Sequence, residues 1–419
     1  MFYLFTNISF LVAFGTIVFL TIVPFFYFPK SKYFYLIPLI FTITLLYLGF
    51  RTASLSAVGI FALWLYLKHK FRWQYGAIAL IICVAALFIK IGSTSGRWFI
   101  TKRAIEILKE NPKGIGFGNF KVTYGLHQAD YFKSHPINDA IALGAENTQF
   151  AFNEYLQIAI EGGVFYGVLF FLCTIITLIV GIKLYRRKQE ELLLVFITGF
   201  TGISFANLTF YMLHNYWILA FYIICALGIY CSLLLYKRFA TFFALLAVSI
   251  LISIIGFKNY KHNFLYKKIE TASILSSVGY KNDADSIFKN VSKDSADIGY
   301  QVKQARHYLN YNKAAEAISE MAKVNKQVTN DGNYLLTGDA YLAIGDTVNA
   351  IKYYLTAVYI VPKRFISRKK LVDIYRQTNN IKAEVFWLKS IVDLSEKIPS
   401  EITKQIKMYA KLRLNIILQ

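Results

Sequence analysis

The chain has 419 residues, of which 56% are hydrophobic and only 17% charged, with a mean hydropathy of +0.44. Soluble domains carry about 25% charged residues, so this composition excludes a soluble globular enzyme, a disordered chain and a disulfide scaffold. The net charge of +22 would point to nucleic acid in a soluble protein; in an apolar chain the basic residues are read first as orientation signals, and no nucleic-acid partner is expected.

Taken in order, apolar runs near 3–28, 33–50, 53–67, 73–91, 158–182, 192–212, 216–236 and 240–256 each approach the ~20 residues that cross a bilayer as helix. The third is short, but Arg51 and Lys68 can snorkel from its ends. The N-terminus lacks a charged n-region and a small-residue cleavage site and reads as a retained span. Four basic clusters punctuate the runs: Lys30/Lys32, Lys68/Lys70/Arg72, Lys183/Arg186/Arg187/Lys188 and Lys237/Arg238. With about eight spans all four fall on one face, which the positive-inside rule makes cytoplasmic. Arg51, residues 92–157, the His214–Asn215 turn and everything after 256 then lie on the opposite face, the periplasm of a bacterium. Cys83, Cys173, Cys225 and Cys231 all fall in apolar runs and read as buried structural thiols, with no metal-ligand spacing among them.

The fold class is therefore all-α: a polytopic membrane bundle over 1–256, with 92–157 as its long outer loop, and an extramembrane helical domain over 257–419. Within the loop, residues 97–110 place Trp98, Ile105 and Leu108 on one side and Lys102, Arg103, Glu106 and Lys109 elsewhere, an amphipathic helix ended by Pro112 and Gly114. Gly114, Gly116 and Gly118 in NPKGIGFGNF follow no strand, so they predict a tight turn rather than a dinucleotide loop. The stretch 145–167 carries Asn147, Asn153, Glu154, Gln157 and Glu161 on a helix into the next span. Glu154 and Glu161 are seven apart and share a face. Glu161 enters an apolar run, where a carboxylate is costly and marks a functional position or a structural pairing. His127 and His135 are read either as general bases or as loop histidines.

In the C-terminal part, residues 331–364 space Gly338, Tyr341, Gly345, Ala350, Tyr354, Ala357 and Pro362 as a 34-residue tetratricopeptide repeat does. Weaker copies are read at 267–294, 297–328 and 365–398. Such arrays bind peptides or proteins on a concave face, so a protein partner is expected there.

Arg51 at the outer end of a span, with Arg97, Lys102 and Arg103 on the amphipathic helix, presents guanidinium and ammonium groups at headgroup depth. They either hold lipid headgroups or grip a pyrophosphate through bidentate, charge-assisted hydrogen bonds. The order of motifs is distinctive: a span opening on Arg51, GRW at 96–98, NPKGIGFGNF, then NEYLQIAIEGGVFYG running into a span. Over residues from about 33 to 236 it resembles the O-antigen ligase and O-antigen polymerase superfamily of bacterial inner-membrane glycosyltransferases. The resemblance implies metal-independent transfer of a glycan from an undecaprenyl-pyrophosphate carrier to lipid A-core, another glycan or a protein, with no cofactor. It implies that Arg51 and Arg97 bind the pyrophosphate leaving group; the residues themselves place Lys102 and Arg103 beside them and offer Asn153, Glu161, Gly116 and Gly118 as supporting positions. A polymerase acting on the carrier, or a non-catalytic repeat scaffold, are the other readings. Two departures stand. Phe152 occupies the position where ligases carry a histidine before the motif asparagine, which leaves Glu154, His127 and His135 as candidates for the base. Only two spans precede Arg51, where family members have several, so the chain reads as a shortened member or a fragment.

Overall fold

The computed structural model describes residues 11–21, 36–68, 91–135, 137, 139–234, 264–292, 298–397 and 399–419. Every regular element among them is helical. The expected spans 73–91 and 240–256, the basic pairs Lys30/Lys32 and Lys237/Arg238, and Cys83 lie essentially outside the described residues.

The chain divides into two compact units. The first comprises Met1–Thr94, Asn111–Gly114 and Phe150–Asn259. The second comprises Ser95–Glu110, Ile115–Gln149 and Tyr260–Gln419, so most of the 92–157 loop clusters with the C-terminal helices.

In the first unit, α1 (Leu11–Thr21), α2 (Leu36–Tyr47) and α3 (Arg51–Lys68) precede α6 (Glu154–Gly162), α7 (Val164–Lys188), α8 (Glu191–Ala206) and α9 (Tyr216–Leu234). Helix α8 is the centre, packed against α3, α7 and α9 and buried along Leu193, Ile197, Phe200 and Ile203. Among the described residues, two helices, α7 and α9, are long and apolar enough to cross a membrane. Helix α7 is inverted relative to a water-soluble helix. It buries Gly167, Thr174, Thr177 and Gly181 and exposes Phe165, Leu169, Phe171, Leu172, Ile176 and Ile179. Its buried hydroxyls are satisfied within and across helices: Thr174 Oγ1 donates to the Phe170 carbonyl at 2.9 Å, and Thr174 and Thr177 pair with Tyr222 and Tyr230 at 3.2 and 3.1 Å. Cys225 is buried, as its apolar run predicts, whereas Cys173 is exposed on the apolar outer side of α7.

The polar lead-in at 145–167 differs from the single helix that its sequence predicts. Helix α6 stops at Gly162 and α7 begins at Val164, because Gly163 takes φ +103°. The backbone of Pro112–Gly114 lies against this break. The Val164 N–H donates to the Pro112 carbonyl at 3.1 Å, and a Cβ on Gly114 (φ +90°) would sit 2.5 Å from the Glu161 carbonyl oxygen and the Gly163 nitrogen. A side chain at Gly114 would therefore meet backbone that cannot turn away.

The second unit holds α4 (Ile91–Glu110, from Ser95 onward), α5 (Phe120–Ser134), the turn Asp139–Ala142 and a run of helix pairs. The pairs are α10 (264–277) with α11 (Lys281–Ser292), α12 (Ile298–Asn310) with α13 (Ala314–Asn325), α14 (Asp331–Ala343) with α15 (Thr347–Ile360), and α16 (Phe365–Gln377) with α17 (Ile381–Val392). Helix α18 (Glu401–Leu418) follows. Consecutive helices α12 to α18 pack in series. In the α14–α15 pair, Gly338 faces the ring of buried Tyr354, whose hydroxyl donates to Asp339 at 2.6 Å. Burial pushes the Tyr354 hydroxyl well above the ordinary tyrosine range, with Asp339 acting in the same direction. Between α10, α11 and α12, buried His307 pairs with Ser276 Oγ and Asp285 Oδ1, each at 2.8 Å. Arg368 on α16 is only 2% exposed and donates to Ser390 Oγ and the Pro362 carbonyl at 2.9 and 2.5 Å. Burial pushes its guanidinium down to about 10.

Candidate functional site

The polar residues of the first unit converge at one end of its bundle. Asn153 caps α6, its side chain accepting from the Leu156 N–H at 3.0 Å, as asparagine before a helix does. Glu154, the first residue of α6, is 3% exposed. Its backbone N–H donates to the Asn207 carbonyl at 2.8 Å, tying the start of α6 to the end of α8. Glu154 Oε1 lies 3.3 Å from His214 Nδ1, and its Oε2 is buried with no hydrogen-bond partner among the described residues. The side chain of Asn207 is wholly buried, and neither its Oδ1 nor its Nδ2 meets a partner among the described residues. A buried amide and a buried carboxylate oxygen left this way each cost about 1–3 kcal/mol.

His214 ends a short 3-10 turn, Met212–His214, before α9, and its side chain remains about a third exposed. Phe150 holds the imidazole from one side, stacked on Tyr211 at 4.1 Å between ring centroids and edge-on to His214 at 4.4 Å. Phe152 takes φ +52°, a left-handed backbone that costs a non-glycine residue on the order of 1 kcal/mol, and packs against Phe210 and Tyr211. Arg51 opens α3 at this end. Its neighbour Thr52 accepts from Thr209 Oγ1 at 3.5 Å, two residues beyond Asn207. One turn into α6, Gln157 Nε2 donates to Glu161 Oε1 at 2.9 Å while Gln157 Oε1 accepts from the Ala151 N–H at 2.8 Å. Glu161 is thus buried and engaged on its own helix.

The other residues singled out in the sequence lie in the second unit. Arg97 is half-buried and Lys102 exposed on α4. Arg103 pairs with Glu106 at 2.5 Å and stacks over Tyr131, 4.5 Å from the ring centroid. His127 Nε2 is 3.6 Å from Glu110 Oε1. His135 ends α5 and stacks on Tyr131 at 4.3 Å. Gly116 and Gly118 adopt φ +92° and +80° in the turn before α5, a conformation that glycine reaches without strain. The structure therefore brings Arg51, Asn153, Glu154 and Glu161 into one unit and Arg97, Lys102, Arg103, His127, His135, Gly116 and Gly118 into the other.

Two residues of the constellation, Asn207 and His214, are not among those that sequence motifs single out. The available signal was the polar pair His214–Asn215 in a turn between two apolar runs, on the same face as Arg51. Among the described residues no three His, Cys, Asp or Glu side chains gather as a metal site would require. Comparison of the chain with family models, curated proteins and solved structures finds no match.

Proposed function

We propose that the chain is an inner-membrane glycan transferase that moves an oligosaccharide from an undecaprenyl-pyrophosphate carrier to a hydroxyl acceptor at the periplasmic face. In this reading the first unit is a bundle of about eight spans, and the paired helices of the second are tetratricopeptide repeats. The observation that carries it is buried Glu154 paired with partly exposed His214, beside Asn207 whose side-chain amide meets no partner among the described residues, at the bundle end where Arg51 opens α3. The inverted surface of α7, small and hydroxylated inside and large and apolar outside, supports a lipid environment, because helices in hydrocarbon associate through small residues rather than by burying large apolar ones.

The chemistry follows from the geometry. With Nδ1 turned to Glu154, His214 has Nε2 to offer an acceptor hydroxyl, and the carboxylate holds the ring in that orientation. His214 Nε2 takes the proton of the acceptor hydroxyl as that oxygen attacks the anomeric carbon. The bond from that carbon to the phosphate oxygen breaks, and its electron pair leaves with the pyrophosphate. A guanidinium placed where this charge develops contributes most in the transition state; Arg51 fills that role. His214 thereby does from the α8–α9 turn what the family's histidine does from the position occupied here by Phe152.

Purified full-length chain in lipid nanodiscs, given an undecaprenyl-pyrophosphate glycan and a core-oligosaccharide acceptor, should transfer glycan. His214→Ala and Glu154→Gln should each lower turnover by about 10²- to 10⁴-fold, and Arg51→Ala by about 10²-fold or more. Undiminished turnover in His214→Ala refutes the assignment of the base. Products that lengthen on the carrier, with none on the acceptor, identify the polymerase variant of the same chemistry.

A further inference from the structure

The helix pair α14–α15 already has something seated on it. Helix α5 packs along α15, and Ala129 of α5 shares an apolar cluster with Tyr334, Ala357, Ile360 and Val361. Gly125 approaches so closely that a Cβ there would lie 2.5 Å from Thr329 Cβ. The backbones are joined as well: the Thr329 N–H donates to the Lys121 carbonyl at 3.1 Å, and Thr329 Oγ1 to the Val122 carbonyl at 2.9 Å. Gln128, buried, donates to the carbonyls of Glu146 and Ile360 at 3.1 and 2.5 Å. The far end of the segment is held by charge. The Glu146 carboxylate meets Lys397 at 2.7 Å and Arg364 at 3.6 Å, and Asn147 exchanges two hydrogen bonds with Asp331. This seam continues into α4, since Phe99 packs with Phe132, Ala142 and Ala145.

From these contacts we infer that the face of α14–α15 is a docking surface whose ligand is the chain's own segment 115–149, and that it fixes α4 and the basic residues Arg97 and Lys102 in one orientation. Repeat arrays present such faces to peptides. Here the peptide is built into the chain, with apolar matching at Ala129, close backbone approach at Gly125, and acidic Glu146 between two cations. The +11 balance of residues 257–419, 26 basic against 15 acidic, finds part of its use in holding that carboxylate. Gln128 and Glu146 are positioning residues. The docking is independent of the proposed transferase activity; only the value of orienting Arg97 rests on it.

Hydrogen exchange on the full chain in nanodiscs reads the docking directly. In the wild type, amides of 120–134 should be protected to a degree similar to those of α14 and α15. Gly125→Leu, and separately Gln128→Ala with Glu146→Gln, should raise exchange over 120–134 and 99–108 on the order of tenfold, while α12 and α13 keep their protection as a check on folding. If Gly125→Leu also loosens α12 and α13, the Gln128→Ala/Glu146→Gln variant decides. Free exchange of 120–134 in the wild type, or no change in that variant, overturns the inference. Glycan turnover separates the two readings. Loosened α5 with undiminished turnover overturns the positioning role when Arg97→Ala itself abolishes turnover. When Arg97→Ala is silent, it is the role of Arg97 in transfer that has failed, and the exchange result alone decides the docking.

Discussion

Gly338→Ala separates local propensity from packing by the sign of its effect. Gly338 lies inside α14, and replacing a mid-helix glycine by alanine on propensity alone stabilises by about 1 kcal/mol. In this structure the new methyl would sit 2.4 Å from Tyr354 Cε1 and 2.6 Å from Cδ1. The ring has no room to retreat, because Tyr354 is fully buried and its hydroxyl is bonded to Asp339, which in turn pairs with Lys370 at 2.7 Å. Overpacking of this kind costs about 1–3 kcal/mol, and displacing a hydrogen bond to a charged acceptor about 1.5–3 kcal/mol more. Less the propensity gain, the net loss is about 1.5–5 kcal/mol. At about 2–4 °C per kcal/mol for a unit of this size, the melting transition of the second unit should fall by about 3–20 °C, read by thermal scanning of the full chain in nanodiscs and by faster exchange over 331–360. Tyr354→Ala leaves a cavity that receives the methyl, so in that background Gly338→Ala should become stabilising. A stabilised single variant, or the same sign in both backgrounds, refutes the reasoning.

Other outcomes follow from the same contacts. Gly114→Ala forces an L-residue into φ +90° against the backbone of Glu161–Gly163 and should destabilise the α6–α7 junction by about 2–4 kcal/mol; faster exchange over 154–166 checks it, and an unchanged rate argues against the close approach. His307→Leu removes the bridge between Ser276 and Asp285 and should cost about 1–3 kcal/mol, seen as lost protection in α10 to α12. Asp346 caps α15, its carboxylate accepting from the Asn349 N–H at 3.0 Å; that backbone bond and the Asn349 side chain lower its pKa below the ordinary 3.8. A depressed carboxylate contributes stability above the unfolded pKa and loses it as pH falls through the folded one. The capping contribution should therefore be complete at pH 6 and fade below about pH 4, and Asp346→Asn should remove the fall in protection at 347–350, measured relative to the intrinsic exchange rate at each pH.

Much of the architecture was legible because periodicity and turn chemistry act locally. The 34-residue pattern marked α14 and α15 and stopped the second helix near Pro362, and the fainter copies fell on α10–α11, α12–α13 and α16–α17. The apolar runs at 158–182 and 216–236 marked α7 and α9, and Arg51 was placed at a helix start. The polar stretch into α7 reads in the sequence as one helix, whereas the structure breaks it at Gly163. Its break depends on Pro112–Gly114, which arrives from about 50 residues away in sequence to take the Val164 N–H, and no local signal carries that. The partner of Glu154 was hidden for the same reason: His214 is sixty residues further on, in a turn whose only local mark is its polarity. Asn207, one polar residue ending an apolar helix, showed no sign that its side-chain amide would be buried with no partner among the described residues. Composition and spacing by themselves determined the helical class, the helix pairs and the membrane-compatible character of α7 and α9, since those depend on period and burial along one segment. Only the tertiary structure decided which side chains meet, because hydrogen bonds and burial between distant segments are properties of packing, and packing selected Glu154, Asn207 and His214 from many equally polar residues.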